Sequence, residues 1–241
     1  MMVLTKKVLL IVEGAQAEKK LMRHFYSLYS ISNIEIVSFE TNIYVLHRHL
    51  QQFYSTNTGH IDYDAIDIVL VINEYLKLEE NNKFNRTDFS DILLIFDFDP
   101  HDNLFDFKVV KELLLHFNNS TENGKLYINY PMVEAYKDIV NNFDHFQASK
   151  VQLTDIRRYK QLVGSRSVYT DLRKIDAETG NTIIQFHLNK LENITNKQLM
   201  DEDIYSALGE LQNYTLQTEH AVFIINTCLI YFIEEYGELY I

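Results

Sequence analysis

Short apolar runs alternate with longer amphipathic stretches in the first half of this chain. Lys7–Val12 (KVLLIV) is a continuous apolar run rich in β-branched residues, and it stops at Glu13-Gly14. That is the pattern of a strand buried on both faces of a parallel sheet. Residues 17–29 follow at helical spacing, with Leu21, Phe25 and Leu28 on one side and Lys19 and Lys20 on the other. Residues 33–39 alternate and predict a second strand, and residues 43–53 and a periodic stretch within 64–78 predict helices. Residues 92–96 (ILLIF) repeat the buried-strand signal and end in Asp97-Phe98-Asp99-Pro100. A helix over 105–117 and a short strand over 126–129 complete the series.

Beyond this point the pattern predicts mainly helices: 154–164, with Thr154 as cap and Gly164 as stop, then 182–191, 202–211 and 219–235. The order predicts an α/β protein with a mostly parallel sheet flanked by helices and a helical C-terminal extension. Two parts are expected, an α/β domain over residues 1–140 and a helical region over 141–241.

Composition narrows the class. Of 241 residues, 46% are hydrophobic and 23% charged, enough apolar surface for a core and against disorder. Seven glycines and two prolines leave little material for long linkers. One cysteine, Cys228, excludes a disulfide within the chain and a four-thiolate zinc site. Its apolar neighbours predict a buried, inert thiol and a reducing compartment. The apolar run near the N-terminus is too short for a signal peptide and meets Glu13 at once. The apolar stretch before Glu234 also falls short of the ~20 residues that a membrane span needs. A cytoplasmic protein without a membrane segment is expected.

Formal net charge is −12, which opposes free binding to duplex nucleic acid. The charge is uneven. Lys150, Arg157, Arg158, Lys160, Arg166, Arg173 and Lys174 stand against Asp155 and Asp171 within one segment. The segment reads either as a solvated mixed-charge face or as a phosphate-contacting strip.

Ligands of open α/β sheets bind at the carboxyl ends of strands. Two buried-strand runs end there in acids, Glu13 after one and Asp97 with Asp99 after the other. Such acids are costly to desolvate unless paired or metal-bound. Two at alternate positions and a third on a neighbouring strand favour a hard divalent cation, Mg²⁺ above all. Capping or solvated loop acids are the plainer alternative.

Residues IVEGAQAEKKLM and IFDFDPHD resemble the two motifs of Toprim domains, strand-Glu-Gly and strand-Asp-x-Asp. Glu18, five residues after Glu13, and NYPMVEAYKDI with Glu134 are similar to the stand-alone RloB- and OLD-type Toprim nucleases of bacterial antiphage defence. The likeness spans roughly residues 5–140. It implies Glu13 as a metal-adjacent general acid/base and Asp97 and Asp99 as ligands of Mg²⁺ (or Mn²⁺). The motif's usual third acid falls at position 101, where this chain has His101, followed by Asp102. Either Asp102 substitutes or the site holds one metal. His101 is a proton carrier or an exposed loop histidine, Glu18 a further acid of the site or a helix-dipole acid, and Glu134 a site acid or a local partner of Lys137.

The resemblance therefore implies a metal-dependent nuclease acting on DNA or RNA, tRNA included, in antiphage defence (abortive infection). A partner ATPase is expected by analogy with such systems, since the chain has no Gly-x-x-x-x-Gly-Lys loop of its own. Oligomeric state stays open. An aspartyl-phosphate phosphatase also places an acid pair after a strand, but near the chain's start and without the following proline. The other reading is a non-catalytic regulatory or interaction protein on a degenerate Toprim fold.

Overall fold

A computed structural model describes residues 7–139 and 143–237. The boundary expected at 140/141 lies outside the described residues. Strands and helices are numbered in chain order. Strand β1 (Lys7–Val12) pairs in parallel with β2 (Ile34–Ser38) on one side and β3 (Phe89–Asp97) on the other. Beyond β3 lies β5 (Gly124–Asn129), also parallel, and the two-residue β4 (Asn118–Asn119) closes the edge antiparallel. The order is β2-β1-β3-β5-β4. Leu9 to Val12 and Ile92 to Phe96 have no exposed surface, as expected of strands covered on both faces.

The connecting helices are α1 (Ala17–Leu28), α2 (Ile43–Tyr54), α3 (Ile68–Tyr75) and α4 (Phe107–His116). Asn42 caps α2 through Val45 N–H (3.1 Å), Asp67 caps α3 through Val69 N–H (2.9 Å) and Asp106 caps α4 through Lys108 N–H (2.9 Å). The chain leaves β1 toward β2, then crosses back to β3 on β1's other side. Sheet order therefore reverses between β1 and β3. A crevice opens outside the carboxyl ends of two strands at such a reversal, and these are the strands that end at Glu13 and Asp97.

The second half contains α5 (Phe143–Ala148), β6 (Lys150–Gln152), α6 (Leu153–Ile156), α7 (Tyr159–Arg166), α8 (Ala177–Thr195) and α9 (Ile204–Glu219). It closes with β7 (Ala221–Phe223) and α10 (Tyr231–Tyr236). Two expectations are corrected here. The helix expected over 154–164 is two short helices that break at Arg157-Arg158. The helix expected over 219–235 is strand β7, a turn and one short helix. Ala221–Phe223 pairs antiparallel with Lys150–Gln152, and the Gln212 side chain holds both backbone groups of Phe223 (2.8 and 3.0 Å). A short apolar run reads alike as buried strand or buried helix, and only the distant partner decides. Helix α9 packs on α4 and α8 on α1, so the buried apolar residues of both halves form one contiguous core. Among the described residues, no helix is long and apolar enough to cross a membrane.

Candidate metal centre

Glu13 leaves β1 with its N–H donating to Ile95 C=O (3.0 Å). Its side chain turns to the neighbouring strand, and Oε2 accepts from Asp97 N–H (3.0 Å). One strand-end carboxylate is thereby fixed against the backbone that carries the other. Gly14 lets the chain turn closely: a Cβ there would lie 2.5 Å from Glu18 Oε2. Glu18, in the first turn of α1, is 4% exposed, and its Oε2 has no hydrogen-bond partner. Asp97 Oδ1 is likewise buried without one. Asn129, at the end of β5, aligns with Asp97 in the sheet register, and its Nδ2 is also unpartnered.

The electrostatics follow from this crowding. Burial, with the charges of Glu18, Asp99 and Asp102, pushes the Glu13 carboxyl up to about 7, against the pull of the Asp97 N–H. Burial pushes Asp97 well above the carboxylate range, Glu13, Glu18 and Glu134 each add to it, and the neighbouring Asn129 side chain pulls the other way. Burial raises Glu18 as well. Unpaired buried acids that repel one another are the arrangement a cation would relieve.

Glu13, Asp97, Asp99 and His101 border one cleft of about 420 Å³, closed by Pro131, Met132, Ile156 and Arg157. The remaining expected residues sit otherwise. Asp99 Oδ1 accepts from His101 N–H (3.0 Å) and so also shapes the turn. His101 Nε2 is bound to Leu153 C=O (2.8 Å) and tethers α6 to the acid turn. Asp102 accepts from Leu104 N–H (2.7 Å) and from the Asn42 amide (2.5 Å), which engages both its oxygens. Glu134 is buried and paired with Lys160 (2.8 Å), not with Lys137.

The basic strip is largely neutralised. Lys150 pairs with Glu219 (2.6 Å), Arg158 with Asp155 (2.6 Å), Arg166 with the buried Asp138 and Arg173 with Asp171 (2.9 Å). With Lys160 that accounts for five of its seven cations. The sequence displays the run of positive charge with Asp155 and Asp171 inside it, but hides Glu219, Glu134 and Asp138, which fold against it from a distance. Asn129 and Tyr44 went unseen in the sequence. The Tyr44 hydroxyl is buried and unpartnered, and burial together with Asp99, Asp102 and Glu13 raises its pKa. Asn129 was findable as the polar end of a third buried strand at the same edge; Tyr44 had no local signal.

No protein-family model, curated protein or solved structure matches the chain. What the site can hold follows from its donors. Among the described residues, no three His, Cys, Asp or Glu side chains are grouped so as to hold a metal ion. The oxygen donors and the orphaned Asp97 Oδ1 nevertheless fit Mg²⁺, which is commonly held by one or two carboxylates, its remaining ligands being water and substrate phosphate.

Proposed function

We propose that this protein is a cytoplasmic, divalent-metal-dependent nuclease on a Toprim-like α/β fold, cutting phosphodiester bonds in DNA or RNA. The observation that carries the reading is the pair Glu13 and Asp97. They stand at the ends of adjacent strands at the reversal of sheet order, joined through the Asp97 N–H, with Asp97 Oδ1 buried and without a hydrogen-bond partner. Asp97 and Asp99, with Glu13 beside them, would hold Mg²⁺ or Mn²⁺. Bound there, the ion would stabilise charge developing on phosphate oxygens. Glu13 is anchored by one oxygen at the edge of the cleft, placed to take a proton from an attacking water or return one to a leaving oxygen. His101 acts through position, holding α6 against the acid turn. A role in antiphage defence beside a partner ATPase rests on the motif resemblance alone.

The second reading, a regulatory or interaction protein on a degenerate fold, is favoured by one observation: Asp102 and His101 are engaged in structural hydrogen bonds. Calorimetric titration with Mg²⁺ and Mn²⁺, wild type against Asp97→Asn, separates the two. Saturable binding in wild type, lost in the variant, supports the nuclease and directs a cleavage screen on tRNA and DNA. Absence of binding in both, with and without an added oligonucleotide, favours the non-catalytic reading.

A further inference from the structure

Five of the seven cations in the basic strip are held by carboxylates, as described above. A phosphate would compete with an acid for each of them. Arg157 and Lys174 make no ion pair among the described residues, and only Arg157 borders the acid cleft. It is exposed, and it lies beside Glu13, Asp97, Asp99 and His101. A guanidinium that shares a cleft with three carboxylates and pairs with none leaves room between them for a further group. Its position is well supported: Ile156 before it and Tyr159 after it are buried. Leu153, at the start of the short helix α6 that ends just before Arg157, is held from both sides, its C=O by His101 Nε2 and its N–H by His220 C=O (2.7 Å).

We infer that Arg157 is the phosphate-holding residue of the cleft, gripping a single phosphodiester group of a nucleic-acid strand beside Glu13, Asp97 and Asp99. This rests on the nuclease reading and narrows it. A planar guanidinium suits two phosphate oxygens at once. Among the described residues Arg157 is the one lysine or arginine bordering the acids, and with a net charge of −12 the cleft offers one strong backbone contact rather than a track. The substrate is therefore a strand presented locally, in single-stranded form or at a loop, and not a long duplex gripped along its length.

The test is fluorescence anisotropy with a fluorescein-labelled single strand of about 12 nucleotides, as RNA and as DNA, with Ca²⁺ present. The full chain is compared with Arg157→Ala, Arg157→Lys and Arg158→Ala, the last as a neighbouring arginine already paired with Asp155. On whichever strand wild type binds more tightly, Arg157→Ala is expected to weaken binding about tenfold. It should also flatten the log–log salt dependence by about one, the share of one phosphate contact. Arg157→Lys should recover part of the affinity, and Arg158→Ala should stay within about twofold of wild type. Equal binding by wild type and Arg157→Ala, or an equal loss in Arg158→Ala, overturns the assignment to Arg157 and leaves the nuclease reading standing. A wild type that binds neither strand overturns both.

Discussion

Two regions of this molecule bury polar side chains, and they treat them in opposite ways. In the C-terminal half, Lys190 is fully buried, yet Nζ donates to Phe146 C=O, Ser149 C=O and Ser149 Oγ at 2.8 to 2.9 Å. His187 accepts from Asn226 N–H at Nδ1 (3.0 Å) and faces Tyr136 C=O with Nε2, and burial lowers it to about 3, so it stays a neutral strut. Asp138 meets both Arg166 and Tyr159. At the carboxyl end of the sheet, by contrast, Glu18 Oε2, Asp97 Oδ1, Asn129 Nδ2 and Tyr44 Oη have no partner. Folds satisfy buried polar groups wherever their work is to hold the chain. Single buried polar atoms elsewhere also lack partners, His116 Nε2 and Gln147 Nε2 among them, but only at the sheet's carboxyl end are carboxylates gathered in that state, where a group from outside the chain would satisfy them.

The largest effect should come from breaking the satisfied region. Lys190→Met keeps the side chain's length but strips the donor from three buried acceptors. A loss of about 3 kcal/mol is expected, read from urea unfolding, with metal binding at the acids unchanged. A variant as stable as wild type would show that the network is ornamental, and the contrast between the regions would fall.

Much of the acid end was legible in advance, because its signals are local. A run of apolar β-branched residues followed by Glu13 or Asp97 states both the strand and its polar end, and sheet topology then brings the two ends together. The basic segment was legible as charge but not as function: Glu219, Glu134 and Asp138, which neutralise Lys150, Lys160 and Arg166, lie 69, 26 and 28 residues away. The end of the chain failed for a related reason. Ala221–Phe223 becomes a strand only because β6 and Gln212 offer it backbone partners, and no periodicity within the run can report that.

The next effect has the opposite sign and sharpens the comparison. The folded state holds the Glu13 proton up to about 7, against 4.5 for a free carboxyl. Between these values the folded chain binds more protons than the unfolded one, so stability falls as pH rises through the window and stays reduced above it. Glu13→Gln can still accept from Asp97 N–H but carries no charge. In metal-free buffer near pH 8 it should be more stable than wild type by about 2 kcal/mol, the shift discounted for partial solvent access and for coupling to Asp97. The two unfolding curves should converge near the lower end of the window. A destabilised Glu13→Gln would place Glu13 among the satisfied, structural groups instead.

The smallest effect tests the one residue that stands on both sides of the division. Asp102 is next to the acid cleft, but it is hydrogen-bonded as fully as anything in the C-terminal half, with Asn42 and Leu104 N–H on its two oxygens. Asn42 in turn caps α2. Asn42→Ala removes the cap and frees one oxygen of Asp102, and the loss of stability should be about 1 kcal/mol. If Asp102 only shapes the turn, metal affinity in this variant and in Asp102→Asn should match wild type, while Asp97→Asn abolishes it. If Asp102→Asn also removes metal binding, Asp102 is a ligand that the turn holds in reserve. The line between satisfied and unsatisfied groups would then run through the Asp99–Asp102 turn rather than before it.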